Sequence, residues 1–404
     1  MGRPRLLAVG PALDQSSYAR VLHATLGPLA ASWEIVQLAV NHRGAPTDIG
    51  WRVLPNRSIG DRYGVAQIPA LVAEFAPHAV FVFNSFINLP RYWDLPARLD
   101  AQCGAARPVL VSQCPVLGEA TDPRLVGRHA SFDCVAVLSQ SVRSHFADSF
   151  ESCLHTGWID RMPTLEVIPH GIDAGLFHRL PDKRAARAAI PALADLADDG
   201  FVVLNANRNE PRKGIDVTLE GFARFARGKP GNVKLYLHMG ETPDGNGLVD
   251  RIRALGIADK VVLASSEPGG HPRLDDAALN RLYNACDVGL NTASSEGWGM
   301  VSFEHAAAGA AQIVPGGWVC GEVWRGSAEL LGPADQQPDV GRHYTRETLV
   351  SAESVAQALE RLYTDPSHRA EMARRAAALA TAPCYQWSSI ASRWDGLLRR
   401  LCTL

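Results

Sequence analysis

Two doubly wound α/β domains in tandem are what this sequence predicts. Three observations point there: short apolar segments separated by helical patterns, a restart of that alternation near the middle of the chain, and a length too great for one core. At 404 residues the chain exceeds the roughly 100 to 200 residues of a typical domain, so two cores are expected. In the first half the apolar segments fall at Leu6–Val9, Glu34–Ala39, Ala79–Phe83, Val109–Ser112, Cys134–Leu138 and Leu165–Ile168. Strands apolar on both faces with helices between them argue for a parallel sheet covered on both sides. After the Ala, Arg and Asp-rich stretch Pro181–Gly200 the pattern begins again, at Phe201–Asn205, Val233–Leu237, Lys260–Leu263, Val288–Asn291 and Ala311–Val314. Two Rossmann-like sheets of this kind are expected to face each other across a cleft, with ligands at the carboxyl ends of the strands.

The segment VIPHGIDAGLF supplies a strand, a tight His170-Gly171 turn and an exit from the first sheet. It sets the junction near His178–Asp182 and the domains at 1–179 and 180–380. The helical pattern of PSHRAEMARRAAALA stops at Ala382-Pro383, because proline lacks the N–H that a helix interior needs. A last helix from about Trp387, within 381–404, is expected to return to the first domain.

Composition narrows the function classes. With 40 basic and 42 acidic residues and a formal charge of -2, nothing suggests nucleic acid or an anionic membrane as the main partner. Any anion site must be local. Only five lysines occur, at 183, 213, 229, 234 and 260, so a lysine inside a motif carries weight. Eight cysteines form no CxxC pair, and several lie in apolar runs such as FDCVAVL and NACDVGL. That pattern reads as buried, reduced thiols and predicts a cytoplasmic protein rather than a disulfide frame or a zinc site. The start MGRPRLLAVG reads as a first strand rather than a leader, and no stretch approaches the roughly 20 apolar residues that span a bilayer.

The chemistry concentrates in the second half. The strand ending in LNANRNEPRKG puts Arg208, Arg212 and Lys213 in a short polar loop before a helix from about Ile215. Cations and unpaired backbone N–H groups converge at such a helix start, which suits a diphosphate; a merely solvated basic loop is the alternative. Further on, SSEGWGMVSFEHAAAGA carries Glu296 and Glu304. Gly297 and Gly299 permit a close turn before a helix from Met300 to Ala308. Were all nine residues helical, the two carboxylates would stand about 12 Å apart along the axis. The glycine-bearing loop can instead fold Glu296 back, so that the pair accepts hydrogen bonds from vicinal hydroxyls of a ribose or hexose. The competing reading has both glutamates only complementing the helix dipole.

These residues resemble the retaining glycosyltransferases of family 4, relatives of glycogen and sucrose synthases with the GT-B fold. VIPHGIDAGLF is similar to the family's Pro-Asn-Gly-Val-Asp segment, NRNEPRKG to its Gly-Arg-x-x-x-x-Lys-Gly loop, and RLYNACDVGLNTASSEGWGMVSFEHAAAG to its long signature with glutamates at this spacing. The resemblance implies that Arg208 and Lys213 hold the donor diphosphate and neutralise its developing charge. It implies that Glu304 holds the ribose hydroxyls and Glu296 the donor sugar, and that backbone N–H groups of Gly299, Met300 and Val301 cap phosphate oxygens. It further implies front-face attack on an oxocarbenium-like centre, with the leaving phosphate helping to deprotonate the acceptor. No enzyme nucleophile is then needed, and the sequence offers no clear Ser/His/Asp or Cys/His arrangement and no HExxH or DxD-type metal motif. No metal and no cofactor are expected; the nucleotide sugar, of UDP or GDP type, is a co-substrate.

The first half departs from the family pattern. Where relatives carry a Gly-Gly loop after the first strand, this chain has Gln15, Ser16 and Ser17, small enough at the serines for a phosphate or acceptor contact. Where relatives carry a histidine after the fourth strand, VLVSQCPVLGE places Gln113, which can hydrogen-bond but not carry a proton. His170 and Asp173 read as turn residues and Trp298 as packing beneath the signature loop. Phe81, Phe83 and Phe86 read as a buried strand and its exit, with Tyr92 and Trp93 as minor candidates for an acceptor pocket. Glu322 in GGWVCGEVW reads as a donor contact or a helix cap. The expectation is a retaining glycosyltransferase acting on a small-molecule, glycan or lipid-linked acceptor. A nucleotide-sugar epimerase on the same fold and a non-catalytic nucleotide-sugar-binding subunit are the alternatives.

Overall fold

The structure is a computed structural model of the chain and describes residues 2–14, 16–196, 198–241, 247–265, 272–335 and 345–404. Two compact units divide it, parting at Gly171–Ile172 and again at Ala382–Pro383.

The first unit holds an eight-stranded sheet. Its strands are β1 (Arg5–Gly10), β2 (Glu34–Ala39), β3 (Thr47–Asp48), β4 (Arg52–Pro55), β5 (Ala79–Phe83) and β6 (Val109–Gln113), then, beyond β7 (Glu119–Ala120), β8 (Cys134–Val137) and β9 (Thr164–Val167). The spatial order is β3-β4-β2-β1-β5-β6-β8-β9, and every pairing except β3 with β4 is parallel. The order reverses at β1, which lies between β2 and β5, so the sheet is doubly wound with its switch point there. The apolar segments expected from the sequence are β1, β2, β5, β6 and β8, which lie inside the sheet, and β9 at its edge. Short β4, β3 and β7 escaped that reading: β4 is four residues ending in a proline, and the other two have only two residues each.

The second unit holds six parallel strands: β10 (Phe201–Asn205), β11 (Val233–Leu237), β12 (Val261–Leu263), β13 (Val288–Leu290), β14 (Ala311–Pro315) and β15 (Glu329–Leu331). Their order is β12-β11-β10-β13-β14-β15, with the switch between β10 and β13. The loops that follow these two strands carry the basic motif and Glu296, and Glu304 follows on the next helix, so topology alone brings distant motifs to one sheet edge. The helix Ile215–Ala226 buries Ile215, Leu219, Phe222, Phe225 and Ala226, a spacing of three and four residues that keeps one face inward. Each large side chain so buried contributes roughly 1.5–3 kcal/mol. They join the sheet residues Val203, Leu235, Leu237, Val288 and Ile313 and, from the helix Ala352–Thr364, Val355, Leu359 and Leu362 in one core.

The last helix, Trp387–Leu401, belongs to the first unit. Ile390, Ala391, Trp394, Leu397 and Leu398 form its buried stripe, and the Trp394 ring packs 4.7 Å from Phe81 of β5. Its Asp395 carboxylate accepts from Trp33 Nε1 at 2.7 Å and Ser32 Oγ at 3.0 Å. A short strand β16 (Thr345–Arg346) also counts with the first unit, pairing antiparallel with β7. No described helix is long and apolar enough to cross a membrane.

Candidate active site

Hydroxyl and amide side chains hold the basic loop in place. Asn205, the last residue of β10, donates to Thr218 Oγ1 at 2.9 Å, and Thr218 shares a 2.7 Å hydrogen bond with Thr292 just past β13. Thr292 Oγ1 also lies 3.0 Å from the Lys213 carbonyl and 2.9 Å from that of Gly214. Gly214 sits at φ +60, and a Cβ there would lie 2.5 Å from the Thr292 carbonyl oxygen, so both conformation and space demand glycine. The Ser294 N–H then donates to the Arg212 carbonyl at 2.8 Å. The loop after β10 is thus bonded directly to the loop after β13.

This joining brings Lys213 to Glu296. The two form an ion pair, with side chains only 8% and 13% exposed. Burial pushes the Glu296 carboxyl up, but Lys213 and Arg212, with hydrogen bonds from Lys213 and Asn291, hold it below the ordinary carboxylate value. Glu296 is therefore an anion near neutral pH. The chain then turns at Gly299, φ +91, whose missing Cβ would stand 3.6 Å from Glu296 Cγ; Glu296 has folded back onto the start of the helix Met300–Ala307. No side chain caps that helix, so the N–H groups of its first residues, Met300 and Val301 among them, have no intrahelical acceptor. One turn in, Glu304 is buried and accepts from Tyr283 Oη at 2.8 Å.

Other residues fall elsewhere. Arg208 is largely exposed, its guanidinium 3.7 Å from Glu210, and Arg212 is 3.3 Å from the same carboxylate. Glu210 lies within the basic motif itself and was assigned nothing from the sequence. Ser16 caps the helix Ser17–Leu29, accepting from the Ala19 N–H at 3.1 Å and donating to Asp14 at 2.5 Å. Ser17 is exposed at the start of that helix. Gln113 is buried at the end of β6 and donates to the Ile168 carbonyl at 3.2 Å. These three belong to the first unit; Gln15 lies outside the described residues. His170 is buried 5.9 Å from the Phe83 ring, and burial pushes its pKa down to about 3. Asp173 accepts from the Gly175 N–H at 2.8 Å as a turn residue. Trp298 is buried and stacked on Phe303 at 4.8 Å. Tyr92 is buried with its hydroxyl on the Tyr63 carbonyl, whereas Trp93 is half exposed near Trp158. Glu322 lies inside the helix Trp318–Val323.

Tyr283, like Glu210, Thr218 and Thr292, is a residue of the candidate site that sequence reading missed. It stands inside the quoted signature, yet no local spacing links it to Glu304, 21 residues on.

Residues 187–379 match the family model for glycosyl transferases group 1. A D-inositol 3-phosphate glycosyltransferase of Segniliparus rotundus is 34% identical over 149 residues, covering 36% of this chain and 30% of that protein. A mannosylfructose-phosphate synthase of Agrobacterium fabrum is 29% identical over 157 residues, 37% of this chain and 32% of that protein. The matched stretches thus span about a third of these curated relatives. Over its whole length the fold is similar to a sucrose-phosphate synthase from Thermosynechococcus elongatus, with 18% identity, a TM-score of 0.72 and full coverage of both chains. It is also similar to Anabaena HepE in complex with UDP and glucose, with 17% identity, a TM-score of 0.69 and coverage of 98% of this chain and 100% of that one. The signature glutamates lie inside the matched region: the chain has the GT-B fold, and its residues 187–379 match glycosyl transferases group 1.

Proposed function

We propose that the protein is a retaining glycosyltransferase that moves a sugar from a nucleoside diphosphate to a hydroxylated acceptor. The observation that carries this reading is the buried Lys213–Glu296 pair at the uncapped start of the helix that bears Glu304. A diphosphate at that start meets the N–H groups of Gly299, Met300 and Val301, the Lys213 ammonium and, by rotation of an exposed side chain, Arg208. As the bond from the anomeric carbon to the diphosphate oxygen breaks, its electron pair stays on the leaving oxygen. Preorganised donors aimed at that charge are worth on the order of 10²–10³ in rate apiece. The acceptor hydroxyl attacks the same face and its proton passes to the departing phosphate. Glu296 holds the sugar, Glu304 the ribose hydroxyls, and no metal ion is invoked. Positioning and charge do the catalysis.

UDP is the favoured donor nucleotide, supported by the complex of HepE with UDP and glucose. Two relatives are named for a phosphorylated substrate or product, which supports a small phosphorylated acceptor; Ser16, Ser17 and Gln113 of the first unit are the residues we assign to phosphate or acceptor contacts. The test is a thermal-shift screen against UDP, GDP, ADP and dTDP and their sugars, followed by turnover with purified protein and anomeric analysis of the product. A bound nucleotide raises the melting temperature by mass action. Absence of any shift across the set would overturn the donor reading, and an inverted product would overturn retention.

A further inference from the structure

We infer that Tyr283 is a positioning residue for Glu304, fixing that carboxylate for recognition of the donor's ribose; the inference rests on the donor reading above. Tyr283 lies near the end of the helix Asp276–Ala285 and is 1% exposed. Its ring is stacked on His305 at 5.3 Å and packs 5.7 Å from Phe177. The ring therefore cannot swing away. Its hydroxyl donates to one oxygen of Glu304, Oε2, at 2.8 Å. A carboxylate has about four lone-pair positions, enough in number for a phenol and two vicinal hydroxyls, and engagement of Oε2 by the phenol restricts the side chain's freedom to rotate. Glu304 is itself buried at 4% exposure. Orientation is what a bidentate contact to a diol requires.

Three features argue for positioning rather than packing alone. A phenylalanine would fill the same space between His305 and Phe177, yet a hydroxyl is present and aimed at the carboxylate. Tyr283 and Glu304 come from different helices, so their hydrogen bond ties the helix that follows β13 to the one that precedes it. Finally, the Asn280 and Asn284 side chains on the same helix accept from the His178 and Leu180 N–H groups at 3.2 and 2.7 Å, anchoring the helix from which the hydroxyl is presented.

The experiment measures binding of UDP, GDP and ADP and of their 2′,3′-dideoxy counterparts to wild type, Tyr283→Phe, Glu304→Gln and the double variant, by calorimetry, with thermal melts confirming the fold. Wild type is expected to prefer the ribose form by at least about tenfold, the scale of a hydrogen bond to a charged group. Tyr283→Phe should reduce that preference to less than about threefold, leave binding of the dideoxy form unchanged, and raise the donor KM with kcat within a factor of about two. Adding Tyr283→Phe to Glu304→Gln should change nothing further, because the two act through one contact. A Tyr283→Phe protein that melts lower but keeps the full ribose preference overturns the inference while sparing the donor reading. A wild type that binds ribose and dideoxy forms alike removes the assigned role of Glu304, and failure to bind any of the three removes the donor reading itself. If Tyr283→Phe does not fold, Tyr283→Met, which keeps an apolar side chain without the hydroxyl, takes its place: a lost ribose preference upholds the inference and an unaltered one overturns it.

Discussion

Replacing Lys213 by methionine keeps the aliphatic stem and removes the charge. The partner, Glu296, is then a carboxylate with 13% of its side chain exposed and Arg212 as its remaining nearby cation. Removing one member of a buried pair costs about 3–5 kcal/mol, since the other charge is left without its partner. Arg212 and the Asn291 contact place the expectation at the lower end, about 3 kcal/mol, or a melting temperature lower by roughly 10 °C for a unit of this size. The pH dependence has a definite sign. In the wild type the folded Glu296 pKa lies below its unfolded value of 4.5, so its contribution is present above that value and lost as pH falls through the folded pKa. In Lys213→Met burial dominates and raises the folded pKa above the unfolded one, so protonation relieves the cost and the gap to wild type narrows as pH falls from 8 towards 5. Adding Glu296→Gln should recover most of the lost stability but no activity. Urea unfolding at pH 8, 6.5 and 5 on the three proteins checks this. A loss under about 1 kcal/mol, or a double variant no more stable than the single, refutes the reasoning.

Other outcomes follow from the same geometry. Glu296→Ala should keep nucleotide affinity within a few-fold and lower turnover by at least about 100-fold; sugar transfer at the wild-type rate would sink its assigned role. Arg208→Ala, at an exposed position, should leave stability within about 0.5 kcal/mol while weakening nucleoside diphosphate binding in a salt-dependent titration. Gly214→Ala should destabilise by more than about 2 kcal/mol and reduce soluble yield, because backbone rather than a flexible side chain blocks the new Cβ. His129, His170 and His305 are all buried with pKa values pushed down to about 3, mainly by burial. Their neutral forms are favoured in the fold, so each withdraws about 1.4 kcal/mol per pH unit as pH drops below the unfolded value of 6.5 towards 3. Denaturant midpoints measured from pH 7 to 5 should fall steeply, and less so in His170→Phe.

The sequence alone determined the two-sheet architecture, because parallel strands buried on both faces leave uninterrupted apolar runs such as FVVLN and AVFVF that few other structures tolerate. Its helix boundaries were equally readable where proline or glycine enforces them, as at Pro383 before Trp387 and Gly299 before Met300. The spaced motifs also marked Lys213, Glu296 and Glu304 as the residues to examine. What the tertiary structure decided is who partners whom. The topological switch at β10 and β13 sets residue 213 beside residue 296, giving Lys213 to Glu296 and leaving Arg208 beside Glu210. It also aims the Tyr283 hydroxyl at Glu304 from another helix. Periodicity reports which face of an element is buried, but hydrogen-bond partners far apart in the chain are fixed only when strand order and helix packing bring their ends together.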